Sequence, residues 1–298
     1  MSCRLVFVHM GAPSGPGEVY DYVYRFLWDT RRHTGLWRLG EEGIRRIARA
    51  EAARVAPLYE AIGGSPLVES LRWLAGEAAG AAGAEAVVGF CYARPLLEDL
   101  DVDGGFAVVP LYPVYSAATT GRCFKKAEAL WGPVARVEEW WREPGYLEWV
   151  SAGLRRGVEE SGFDEPHVLF TVHSIPRRLV EAGDPYLSSY LGIAERVAGG
   201  LGLRYTVAFQ SIHGKRGWLG PGVEETLERL AGEGVGEVVV YPLSFVAENF
   251  ETLYELDVEA RGAAERLGVS FYRVRLRHRD PRLVEALAAA ARRACRSL

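Results

Sequence analysis

Eight short, continuous apolar runs, separated by longer stretches with apolar residues at helical spacing, set the limits on what this chain can become. The runs are Leu5–His9, Ala86–Phe90, Phe106–Leu111 and Val134–Val137, then Val168–Val172, Tyr205–Phe209, Glu237–Tyr241 and Val269–Val274. A run without polar alternation marks a strand covered on both faces, as in a parallel sheet. Glu41–Tyr59, Ser65–Ala79, Tyr146–Glu160, Tyr186–Gly200, Gly222–Gly232 and Glu251–Leu267 carry the helical spacing, and Pro281–Cys295 predicts a C-terminal helix with proline in its first turn. The strands form two sets of four that meet around residues 140–165, where Trp140, Trp141, Pro144 and Gly145 break the pattern. The expected fold is α/β: two similar Rossmann-like domains, each a four-stranded parallel sheet flanked by helices. The first spans residues 1–150 and the second 151–298, with the C-terminal helix free to pack back on the first.

Composition removes several classes of function. The 298 residues carry a net charge of -4 and no basic stripe, which speaks against nucleic acid as a partner. The four cysteines, Cys3, Cys91, Cys123 and Cys295, are far apart and form no CxxC, so we expect reduced, mostly buried thiols and no zinc ribbon, iron–sulfur site or disulfide framework. No segment approaches the roughly 18 apolar residues of a membrane span. The N-terminus enters a strand at once and lacks the regions of a signal peptide. A cytoplasmic protein is expected, with weak peripheral membrane contact left open, as is the choice between monomer and homodimer.

Open parallel sheets bind ligands beyond the carboxyl ends of their strands. The segments there are Met10-Gly11-Ala12-Pro13, Tyr112 to Gly121, His173-Ser174-Ile175-Pro176, Gln210-Ser211 and Pro242 to Phe245. Two such crevices facing each other would make a large cleft with aromatic walls and few charges. His173 ends a strand and begins a turn. Its imidazole could ligate a metal or accept a proton near neutral pH, or simply brace the turn. Glu251, Glu255 and Glu259 are spaced i, i+4, i+8 and form one acidic stripe on a helix: either a solvated face or a track of hard oxygen ligands for a divalent cation. His9 reads as core or cleft wall, and His213 belongs to a glycine-rich loop with Lys215. His33, His167 and His278 read as surface residues. Gly199-Gly200-Leu201-Gly202 lacks the dinucleotide spacing, no P-loop is present, and no Gly-x-Ser-x-Gly elbow supports a hydrolase.

Several segments, in order, resemble the ferrochelatase family. Met10-Gly11-Ala12-Pro13 with Phe26-Leu27-Trp28-Asp29 is similar to the family's opening. Ile62-Gly63-Gly64-Ser65-Pro66-Leu67 and Pro113-Val114-Tyr115-Ser116-Ala117-Ala118-Thr119-Thr120-Gly121 follow. Thr171 to Pro176 with Gly183-Asp184-Pro185-Tyr186 resembles the histidine signature, and Gln210-Ser211 with Trp218-Leu219-Gly220-Pro221 the next block. Glu251-Thr252-Leu253-Tyr254-Glu255-Leu256-Asp257 resembles the acidic helix. Two positions depart: relatives often carry Asp-His where this chain has Glu248-Asn249, and Val172 replaces a commoner alanine.

The resemblance implies an enzyme of haem biosynthesis that inserts Fe2+ into a porphyrin held between the domains and releases two protons, with protoporphyrin IX favoured because Met10 stands where coproporphyrin III enzymes often have tyrosine. It implies His173 and Glu251 as catalytic residues; His173, Glu251, Glu255 and Glu259 as the metal-handling set; and Met10, Tyr92, Tyr115, Ser116, Thr119, Gln210, Ser211 and Trp218 around the porphyrin. It implies no organic cofactor. Cys295 stands alone where many members bind an iron–sulfur cluster, so no cluster is expected. The rivals are a coproporphyrin ferrochelatase, a sirohydrochlorin or cobalt chelatase, and a porphyrin or haem carrier without turnover.

Overall fold

The computed structural model describes residues 3–34, 36–102, 105–212, 217–296 and 298. Among the described residues, eight strands form two separate, all-parallel sheets of four. The first contains β1 (Cys3–His9), β2 (Ala84–Phe90), β3 (Phe106–Pro110) and the two-residue β4 (Ala135–Arg136), in the order β2-β1-β3-β4. The second contains β5 (His167–His173), β6 (Tyr205–Gln210), β7 (Glu237–Pro242) and β8 (Ser270–Arg273), in the same order, β6-β5-β7-β8. Register aligns the carboxyl ends: His9 lies opposite Phe90, and His173 opposite Gln210.

The continuous apolar runs are explained by cover on both faces. Leu5 and Phe7 of β1 join a different core cluster from Val6 and Val8, and all four are fully buried. Val168 and Phe170 of β5 face that same first cluster, whereas Leu169 faces a third. One core therefore runs between the two sheets. It is filled by α3 (Leu67–Ala82), α5 (Pro144–Ser161), α7 (Tyr186–Leu201) and α10 (Pro281–Arg296). Helix α5 lies so close to the second sheet that a Cβ on Gly157 would stand 2.3 Å from Val274. Trp140, wholly buried, donates its indole N–H to the Pro110 carbonyl at 2.9 Å and anchors the crossing between the sheets.

The outer elements are α1 (Val19–Thr34), α2 (Gly40–Ala61), α4 (Thr120–Trp131), α6 (Arg177–Glu181), α8 (Val223–Gly232), a π-helix over Glu251–Ala260 and α9 (Arg261–Arg266). Three of these differ from expectation. Helix α1 is rich in β-branched and aromatic residues, whose intrinsic preference is for strands. Helix α4 opens with Thr-Gly, both poor helix formers. The segment Glu251–Leu267 is helical but not uniformly: its first ten residues are wound as a π-helix.

The cysteines require a correction. Cys3 and Cys295, 292 residues apart, are joined in a disulfide that ties the start of β1 to the last turn of α10. Spacing along the chain carries no trace of that proximity, which arises only because α10 packs beside α3 and the first sheet; there Arg292 donates to the Ala81 carbonyl at 3.1 Å. Cys91 and Cys123 are free and buried, as expected, with their sulfurs 3.2 Å apart.

Candidate active site

His173 is the last residue of β5, half-buried, and its main chain is fixed on both sides. Its N–H donates to Ser244 Oγ at 2.9 Å, and its carbonyl accepts the Tyr186 hydroxyl at 2.9 Å. The ring is fixed as well. Nδ1 lies 2.7 Å from the Ser174 carbonyl oxygen. A carbonyl only accepts, so Nδ1 carries the proton and Nε2 keeps its lone pair, ready for a metal or a proton. Phe245 stands edge-on to the ring, with centroids 6.4 Å apart.

Glu251 opens the π-helix. Asn249 caps that helix: its Oδ1 accepts Thr252 N–H at 2.9 Å, and its own N–H donates to Thr252 Oγ1 at 3.0 Å. Burial drives the Glu251 carboxyl above its ordinary range. Gln210 braces the same point, accepting Thr171 Oγ1 at 2.7 Å and donating to the Glu251 carbonyl at 3.4 Å. The first half of the chain reaches this residue. Tyr59 of α2 stacks on Phe250 at 4.7 Å, and Phe250 on Tyr254 at 5.4 Å. The phenols of Tyr22 and Tyr59 are raised chiefly by burial and further by the Glu251 charge.

Glu255 lies one turn on. Ser211 donates to it from both ends, N–H at 3.1 Å and Oγ at 2.7 Å, and holds a left-handed φ of 54° to do so. Burial first, then the Glu251 charge, pushes the Glu255 carboxyl up to about 7, against the opposing pull of Ser211 and His173. Glu259 is exposed, and partial burial with Glu224 nearby raises it against the pull of Arg54. The three carboxyls thus run from a desolvated interior to the surface. Among the described residues, no three of His, Cys, Asp or Glu converge on one point. His173, Glu251, Glu255 and Glu259 therefore do not form a single closed cage here.

The residues assigned to the porphyrin divide. Met10, Tyr115 and Trp218 are half-buried at the carboxyl ends of their sheets. Tyr92 is 1% exposed and its hydroxyl donates to Asp29 at 2.5 Å, so its side chain is enclosed by protein. Ser116 is wholly buried and donates to Asp184 at 3.0 Å. It joins the two halves of the chain, which a motif comparison could not distinguish from ligand contact. Thr119 has a buried hydroxyl with no protein partner. Gln210 and Ser211 are spent on Glu251 and Glu255. His9 is buried; its Nδ1 accepts Gly11 N–H at 2.9 Å, and it stacks on Tyr112 at 3.9 Å. Gly11 has no alternative there: its φ is +80°, and a Cβ would stand 2.5 Å from that of Ala93.

One histidine expected at the surface is not there: His167 is buried and pairs with Thr206 Oγ1 at 2.9 Å, whereas His278 is half-buried and packs edge-on against Trp73 at 5.7 Å. His213 and Lys215 lie outside the described residues. Sequence reasoning missed Tyr22, Tyr59 and Asn249. Cavities of about 470 and 490 Å³ share Ser14 and Glu69; the second is lined by Leu253, two residues beyond Glu251, and by Ile62–Pro66.

Solved structures place this architecture. SirB from Bacillus subtilis with Fe3+ superposes with a TM-score of 0.56 over 99% of this chain and 96% of its own, at 14% identity. CbiX, the terminal enzyme for biosynthesis of sirohaem in denitrifying bacteria, gives 0.53 over 96% and 97%, also at 14% identity. At that identity the likeness is one of fold: two parallel four-stranded sheets in the chelatase arrangement. The ferrochelatase family model matches residues 4–295. A Synechococcus ferrochelatase is 33% identical over 97% of this chain and 91% of its own, and that of Aquifex aeolicus 31% over 96% and 97%. The Nostoc ferrochelatase is 33% identical over 84% of this chain, which spans 64% of that longer protein. The chain belongs to the ferrochelatase family, enzymes that insert a metal into a porphyrin in haem synthesis. No helix among the described residues is long and apolar enough to cross a membrane.

Proposed function

We propose that this enzyme inserts Fe2+ into protoporphyrin IX, with His173 and Glu251 at the reacting centre. The observation that carries the proposal is the tautomer of His173: its Nδ1–H is committed to the Ser174 carbonyl, which leaves the Nε2 lone pair for a metal or a proton. The reaction exchanges two pyrrole N–H protons for one divalent cation. His173 Nε2 accepts the two pyrrole protons in turn, handing on the first before it takes the second. Glu251, desolvated and therefore reluctant to remain an unpaired anion, gains most from a cation and replaces water in the shell of the incoming iron. Glu255, with a carboxyl near 7, can take up and release protons around neutral pH, and Glu259 passes them to solvent. Met10, Tyr115 and Trp218 contact the ring.

The proposal needs no organic cofactor. It needs no iron–sulfur cluster either, and Cys295 is engaged with Cys3. Imidazole and carboxylate do not by themselves select Fe2+ over Zn2+ or Co2+, so the metal rests on the family resemblance. Met10 favours protoporphyrin over coproporphyrin III in the same way.

The test is anaerobic Fe2+ insertion into protoporphyrin IX and coproporphyrin III side by side, by the parent protein and by His173→Ala. Faster turnover of protoporphyrin, with a loss of about 10²-fold or more in folded His173→Ala, is the expected result. Preference for coproporphyrin would reassign the substrate. Tight porphyrin binding without turnover would make the protein a carrier.

A further inference from the structure

Arg273 lies on the edge strand β8, in register with Val240 of β7, and its side chain is fully enclosed. Its guanidinium grips two carboxylates at once. Nη1 meets both oxygens of Glu248 at 2.7 and 2.9 Å. Nε and Nη2 fork onto Asp257 at 2.8 and 2.5 Å. Glu248 also accepts Thr252 Oγ1 at 2.6 Å and Leu276 N–H at 2.8 Å. Asp257 also meets Arg275 at 3.1 Å and Arg261 at 3.7 Å. The two carboxylates stand on either side of Glu251 and Glu255 in the chain.

We propose that Arg273 is a positioning residue for metal insertion: it fixes the helix bearing Glu251 and Glu255 against the sheet that carries His173. The inference rests on the assignment of those three residues above. Strand β8 pairs with β7, and β7 with β5, whose last residue is His173. One guanidinium thus ties the acidic helix, before and after its two inner carboxyls, to the sheet that ends in the imidazole. The helix so anchored is π-wound, a rare winding found frequently at functional sites. Stability does not explain the arrangement. A buried ion cluster adds little net stability over apolar residues of the same volume, and geometry is what it supplies. The clamp also sorts the acidic residues, since both oxygens of Asp257 are spent on arginine and it takes no part in the track.

Lysine at this position keeps the charge but replaces the rigid planar fork with a compact ammonium on a flexible stem, so the paired grip on Glu248 and Asp257 is lost. We expect Arg273→Lys to lower kcat for Zn2+ insertion into a porphyrin by about 10²-fold, the scale of an ångström of misplacement. The KM and fluorescence-measured Kd for the porphyrin should stay within about twofold, and the assay should run well below the thermal midpoint of the variant. A purely structural role would lower the midpoint without splitting kcat from KM. If Arg273→Lys does not fold, the triple variant Glu248→Gln/Arg273→Met/Asp257→Asn removes all three charges together and should fold with the same kcat defect. Parental kcat in either folded variant overturns the proposal. Glu251→Gln is measured alongside. If it too keeps parental kcat, the assignment of the site has failed; if it is inactive while folded Arg273→Lys turns over normally, only the clamp has failed.

Discussion

Glu255 and His9 are displaced in opposite directions by the same cause. Burial penalises the charged form of each, so the carboxyl rises to about 7 and the imidazole falls to about 3. The consequences for stability have opposite signs. Glu255 holds its proton more tightly folded than unfolded, so its contribution is complete below its ordinary value of 4.5 and is lost as pH rises to about 7. Glu255→Gln should therefore raise the melting temperature at pH 8, with the gain shrinking toward pH 4.5; an equal gain at both would show that the carboxyl is not desolvated. His9 binds its proton less tightly folded, so its contribution is complete above 6.5 and is lost as pH falls toward 3. His9→Asn should flatten the acid limb of a urea-midpoint profile over that interval. Neither direction is readable from residue type. His173, Glu251 and the acidic stripe were visible as candidates, but the bland alternatives for each were equally consistent with position alone. The structure adds their surroundings: the Ser174 carbonyl on Nδ1, and Ser211 donating twice to Glu255.

At the scale of elements, the strands were the most legible part. All eight apolar runs became strands because both faces of each sheet are covered, and continuous hydrophobicity is what that burial demands. The helices were less legible where local preference and tertiary context disagree, as in α1 with its tyrosines and valines. The acidic helix shows a subtler limit. Its spacing predicts one regular helix, and only the folded structure gives the π-winding and the Asn249 cap. Asn249→Ala removes the acceptor for Thr252 N–H and should cost about 1 kcal/mol in denaturant unfolding. Because Glu251 stands two residues beyond the cap, kcat should fall as well; unchanged kcat and stability together would show that Glu248 and Thr252 set the helix start without it.

At the scale of the whole molecule, the ends of the chain are joined. The disulfide between Cys3 and Cys295 closes a loop of nearly the entire protein. Such a link constrains the unfolded chain most when the loop is long, and removing it typically costs about 2–5 kcal/mol. Cys295→Ser should melt at a lower temperature, and a reducing agent should bring the parent protein down to it while leaving the variant unmoved. A midpoint in the parent that ignores reductant would remove the clasp from the account of stability. The same packing explains why the two sheets share one core: α10 returns to lie beside α3 and against β1 and β3 of the first sheet, with α5 of the second half on its flank.

The sequence alone determined the two parallel sheets, the strand positions and the order of the motif blocks, because burial on both faces and turn chemistry are written locally in residue type and spacing. Tertiary structure alone decided which motif residues meet each other. Ser116 binds Asp184 across the halves, Ser211 holds Glu255, and Cys3 meets Cys295. Each of those pairs is remote along the chain, and only the folded backbone brings its members within bonding distance.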